Sequence, residues 1–117
     1  AVPHSNLRSV LWAELLRLSQ NISDPWCVLG DFNDIVSANE RIGGRSASVS
    51  RLRWFQDRIN EAGLSDLGSI GPTMTWRGPR LEGGSHLFER LDRGLANVHL
   101  LNSFPEAYVK VLPRTDF

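Results

Sequence analysis

The sequence predicts an α/β chain built of layers of sheet and helix. Three observations carry that prediction. Two stretches repeat apolar residues at helical spacing, several short strand-like runs are divided by glycine and proline, and one apolar run ends abruptly in a polar tip. At 117 residues the chain is one domain or part of one. An apolar fraction of 41%, with four Trp and five Phe, supplies enough surface to drive collapse.

Ser5 is the expected N-cap of a first helix over residues 6–19, with Leu7, Val10, Leu11, Leu15 and Leu18 on one face. Asn21 to Pro25 breaks it, and Pro25 forces an extended approach. Trp26-Cys27-Val28-Leu29 has no polar alternation, which predicts a strand covered on both faces. Asp34 to Ser48 is polar and contains Gly43-Gly44, so it reads as a long loop. Ser50 is the expected cap of a second helix over 51–62, with Leu52, Phe55, Ile59 and Ala62 buried and Gly63 as its stop.

Leu64 to Leu67 predicts a short strand, and Gly71-Pro72 a turn. Thr73 to Trp76 alternates as a strand does. Gly78 to Gly84 reads as a hairpin connection leading into one strand from Leu87 to Leu95. Asn97 caps a helix of one to two turns ending near Phe104-Pro105, and Tyr108 to Leu112 is a last strand.

Thirteen basic residues balance thirteen acidic ones, which argues against a dedicated non-specific nucleic-acid binder. The single cysteine, Cys27, cannot form an internal disulfide and is expected in the core. No apolar run approaches the roughly 20 residues that span a bilayer.

The polar tip is Gly30-Asp31-Phe32-Asn33. With Phe32 turned inward, Asp31 and Asn33 project together. Asp31 can orient or deprotonate a water, and Asn33 can hold a phosphate oxygen. The plainer alternative is an Asx-rich turn after a strand. Asp92 lies in Glu89-Arg90-Leu91-Asp92-Arg93 and can orient a histidine, or be one charge of a surface ion-pair cluster. On a single strand Arg90 and Asp92 share a face. Trp76 can stack on a base beside Thr75, or pack in the core. His4, His86 and His99 lack mutual metal-ligand spacing. Arg41, Arg45, Arg51, Arg53 and Arg58 read as solvated charges before phosphate contacts.

Trp26 to Asn33, Gly43-Gly44, Gly63-Leu64-x-Asp66-Leu67-Gly68, Gly71-Pro72-x-Met74-Thr75-Trp76, Glu89-Arg90-Leu91-Asp92-Arg93-x-Leu95-Ala96-Asn97 and Phe104-Pro105-x-Ala107 occur in one order. That ordered set resembles the endonuclease/exonuclease/phosphatase superfamily. Within it the chain is most similar to the endonuclease region of plant non-LTR retrotransposons, over essentially its whole length.

The resemblance implies the α+β kind of α/β fold, half of a four-layered α/β/β/α sandwich with mostly antiparallel sheet flanked by helices, so that residues 1–117 form a partial domain, its C-terminal half. It implies Mg²⁺ or Mn²⁺ as the cofactor of the intact domain and DNA as its substrate. It assigns Asp31 to the nucleophilic water, Asn33 to the scissile phosphate, Asp92 to a catalytic histidine, and Thr75-Trp76 to the DNA-binding surface. The family's Ser-Asp-His motif is expected to begin about where Arg114-Thr115-Asp116-Phe117 stands. Its Tyr, Asn and metal-binding Glu belong to a half expected before Ala1, and that half is itself an expected partner. No complete metal site is therefore expected within these residues, nor useful nuclease activity from them alone. One sheet face is expected to be bare, leaving the piece marginal, self-associating or dependent on the rest of its chain. The alternatives are a non-catalytic remnant of a decayed element, or a phosphatase of the same fold acting on a lipid headgroup or small phosphoester.

Overall fold

A computed structural model describes the backbone of residues 4–112 and the side chains of 7–112. The elements are helix α1 (His4–Ser19), strand β1 (Cys27–Asp31), a 3-10 turn (Ala38–Glu40), β2 (Arg41–Ile42), α2 (Val49–Glu61), β3 (Leu64–Asp66), β4 (Ser69–Ile70), β5 (Trp76–Arg80), β6 (His86–Glu89), β7 (Asp92–Asn97), α3 (Val98–Ser103) and β8 (Val109–Lys110). One antiparallel sheet has the order β1-β7-β3 and a second the order β2-β6-β5, while β4 and β8 form a parallel pair. The mixed, mostly antiparallel class is as the sequence predicts. Among the described residues no helix is long and apolar enough to cross a membrane.

The core lies between the two longer helices and the first sheet. Trp12 and Leu15 of α1 meet Phe55, Ile59 and Ala62 at α2, Phe32 beyond β1, Leu64 of β3 and Leu95 of β7. Trp12, Phe32 and Phe55 form an aromatic triangle with ring centroids 5.8–5.9 Å apart, an arrangement whose tilted edges suit the ring quadrupoles. The stripe read for α2 is the buried one, with Leu52 at its margin. Gly63 ends the helix at φ +66° as its N–H donates to the Asn60 carbonyl.

Several expectations are corrected. Helix α1 already begins at His4, so Ser5 lies inside its first turn, and the Ser5 side chain is outside the described ones. Leu7, Val10 and Leu11 are exposed, because Trp12 supplies the bulk that anchors the helix and rotates its buried face. Ser48, two residues before Ser50, caps α2 by accepting the Arg51 backbone N–H at 3.1 Å. Strand β1 is covered on one face only. Val28 packs against the core, while Cys27 and Leu29 are exposed on the other face.

The stretch from Leu87 to Leu95 is two strands in two sheets, broken at Arg90-Leu91. Both of these residues hold the junction: Arg90 N–H donates to the Glu40 carbonyl, and the Leu91 carbonyl accepts from Phe32 N–H. Strand β5 runs from Trp76 rather than Thr73, although the Thr75 N–H just before it already donates to the Glu89 carbonyl at 3.0 Å. It runs on through Gly78-Pro79 to Arg80, so the hairpin connection is shorter, residues 81–85. Pro79 is tolerated because β5 is an edge strand. The reading of residues 34–48 as loop omits the 3-10 turn and β2. Asn97 caps α3 as expected, accepting from Leu100 N–H at 3.0 Å. The positions set beside the family's Ser-Asp-His motif, residues 114–117, lie outside the described residues.

The first sheet's outer face is only partly covered. An apolar groove of about 430 Å³ there is lined by Cys27, Leu29, Leu67, Phe104, Tyr108 and Val109, among others. Leu29, Phe104 and Tyr108 remain exposed, and Gly94 lets Leu29 and Val109 close over β7, where a Cβ would meet both within 2.7 Å.

Candidate functional site

Asp31, Asn33, Thr75 and Asp92 come together at one corner, where β1 ends and β7 begins. The register pairs Asp31 directly with Asp92. Opposed residues of an antiparallel pair project to the same face, so two exposed carboxylates stand side by side. Burial then alternates along the tip, with Asp31 exposed, Phe32 buried, Asn33 exposed and Asp34 fully buried. Phe32 and Asp34 are anchors, and the functional candidates sit between and before them.

Asn33 has φ +56°, and among the described residues it is the only non-glycine with a positive φ. An L-residue adopts this conformation at a cost unless its surroundings impose it. The Asp31 carboxylate accepts the Asn33 backbone N–H at 2.8 Å, an Asx turn. The plain turn reading is thus correct about the backbone. Among the described residues the Asn33 and Asp92 side chains carry no hydrogen bond.

Thr75 is buried, and its hydroxyl accepts the N–H groups of Leu91 and Asp92, both at 3.0 Å. It fixes the turn that launches Asp92. Trp76 follows, 38% exposed, so it is not a core residue. Its indole lies over Gly78, where a Cβ would come within 2.4 Å of the ring.

Behind the corner lies a charge network, and its Arg41 and Arg51 are not the solvated charges expected from the sequence. Asp34 accepts from Arg8 at 2.6 Å and Arg51 at 3.1 Å. Glu89 accepts from Arg41 at 2.7 Å and Arg51 at 2.8 Å. Glu40 and Asp66 each bridge Arg90 and Arg93, at 2.8–3.1 Å. Arg90 sits in the junction between strands and turns into this network, so it does not share a strand face with Asp92. The Arg93 guanidinium is fully buried and stacks 5.0 Å over the Phe55 ring, while its Nε has no hydrogen-bond partner among the described residues.

Burial opposes the charged form of Glu40, yet bonds from Arg93, Val36 N–H and Arg90 hold its carboxyl below the usual range. Asp66 and Glu89 follow the same pattern: burial pushes up, while for Asp66 the Gly68 N–H and Arg90, and for Glu89 Arg51 and Arg41, pull further down. These acids are therefore committed to arginine. One compositional signal points to such a network: of thirteen basic residues, only Lys110 is a lysine. The planar guanidinium fork suits shared carboxylates where an ammonium does not.

Among the described residues no group of three His, Cys, Asp or Glu is placed to hold a metal. Comparison with protein-family models, with curated proteins and with solved structures finds no match for this chain.

Proposed function

We propose that this chain is part of a metal-dependent phosphodiesterase acting on DNA, in its intact form a nicking endonuclease of the retroelement kind. The observation that supports this best is the corner itself. Asp31 and Asn33 on one segment, Asp92 on a second and Thr75 on a third are joined there, with the two carboxylates opposed and exposed, and Trp76 follows Thr75 along the chain.

Mg²⁺ and Mn²⁺ prefer six oxygen ligands. Asp31 and Asp92 do not make that set, and the neighbouring acids are occupied by arginines. What the candidate residues can do is narrower. One Asp31 oxygen is engaged by Asn33 N–H, which leaves the other to accept from and orient a water. The Asn33 amide can donate to a phosphate oxygen. Asp92 can accept an imidazole N–H in the intact domain. Trp76 offers an aromatic face to a base or sugar. The incomplete donor set also supports a second reading, a remnant that binds DNA without cutting it.

Duplex binding and plasmid nicking, measured together in Mg²⁺, test the proposal. The chain is expected to bind a short duplex with an affinity that falls as salt rises. Trp76→Ala is expected to weaken it about tenfold, within the ~1–3 kcal/mol of a stacked base. Nicking should not exceed that of Asp31→Ala. Metal-dependent nicking abolished by Asp31→Ala would instead mean a complete centre. Absence of duplex binding would remove DNA as the substrate.

A further inference from the structure

The tip bearing Asp31 and Asn33 belongs to the first sheet, and Trp76 belongs to the second. Their relative placement has to be fixed by something common to both. From α2, the Arg51 guanidinium reaches each side. Its Nε donates to Asp34 Oδ1 at 3.1 Å, and Nη2 to the Asn33 carbonyl at 3.4 Å. Its Nη1 and Nη2 donate to the two Glu89 oxygens at 2.8 and 3.3 Å. The Glu89 carbonyl in turn accepts Thr75 N–H at 3.0 Å, and Glu89 pairs with Trp76 across the ladder.

We infer that Arg51 is a positioning residue for the candidate site. It grips Asn33 and Asp34 on one side and Glu89 on the other, and so holds Asn33 left-handed at a set distance from Thr75-Trp76. Whether that geometry serves catalysis rests on the phosphodiester reading of Asp31 and Asn33; the geometry itself does not. The fork is what matters. Three nitrogens in one plane serve four acceptors, whereas an ammonium at the same charge cannot span both flanks.

NMR on this chain tests the inference, comparing wild type with Arg51→Lys, Arg51→Met and, as a charge-loss control, Arg58→Met. Arg58 pairs with Glu61 further along the same helix. A φ near +56° brings the Asn33 amide and Hα protons close, giving a strong intraresidue cross-peak. Both Arg51 variants should lose that cross-peak, with shift changes confined to residues 31–34, 75–76 and 89–92. Both should also weaken binding of a short duplex in Mg²⁺, by about tenfold. Arg58→Met should keep the cross-peak. If either Arg51 variant keeps the wild-type cross-peak, or if Arg51→Lys restores duplex affinity, the inference is overturned. Should Arg51→Met fail to fold, Arg51→Lys decides by the same two readings. A wild-type chain that ignores the duplex would sink the phosphodiester reading, while the cross-peak would still decide the role of Arg51.

Discussion

Two carboxylates placed directly across an antiparallel ladder repel each other, and evolution toward stability alone would remove one. Asp31 and Asp92 stand in that relation. Asp92→Asn is therefore expected to raise stability by about 0.2–1 kcal/mol, measured by urea unfolding, because it relieves the repulsion and keeps the side-chain shape. A loss of stability would mean that Asp92 is held by a favourable contact. The neighbouring acids behave in the opposite way. Asp34, Glu40, Asp66 and Glu89 are each bound by two arginines, and their loss would strand buried guanidinium groups. The difference between the exposed, opposed pair and the sheltered, paired acids separates candidate chemistry from scaffold.

At the scale of elements, the start of α2 matters most, because it aims Arg51. Sequence periodicity alone cannot choose between Ser48 and Ser50 as its cap, since both precede the apolar stripe. The helix begins at Val49, and the Ser48 side-chain oxygen accepts the N–H of Arg51, sharing it with the Ser48 carbonyl. Ser48→Ala is expected to cost about 1 kcal/mol, while Ser50→Ala, in the exposed first turn, should be nearly neutral. Equal effects in thermal or urea melts would place the cap elsewhere. The break between β6 and β7 has a similar cause. Thr75, Glu40 and Phe32 supply partners for the backbone of Arg90, Leu91 and Asp92, so the chain can leave one sheet and enter the other without stranding polar groups.

For the whole molecule, the carboxylates of Glu40, Asp66 and Glu89 link stability to pH. Burial disfavours their charged forms, but arginine bonds and charge, with backbone N–H donors at Glu40 and Asp66, leave all three below their ordinary values. Between the folded value and the ordinary value of about 4, the unfolded chain binds more protons, so stability rises with pH. Their contribution is complete above about pH 5.5 and is lost as pH falls through the folded values. Melting temperature should therefore be flat near neutrality and drop below about pH 5, a drop that Glu40→Gln reduces in depth. The helices, the turns at Gly63 and Gly71-Pro72, the Asn97 cap and the polar tip were legible in the sequence, because period, caps and turn chemistry are local. Asp31, Asn33, Thr75, Trp76 and Asp92 were legible as candidates one at a time, from residue type and motif. That Asp31, Asn33, Thr75 and Asp92 meet at one corner was not, because it depends on the β1-β7 register and on the Thr75 bonds across the strand break. Nor could the sequence distinguish a solvated arginine from Arg93 or Arg51, whose carboxylate partners lie 17 to 53 positions away. The chain by itself determined where the three helices lie and that short strands separate them, but not where each strand begins and breaks. Only the tertiary structure decided which charges are buried together and which are left free to act, because burial and ion pairing are set by neighbours in space.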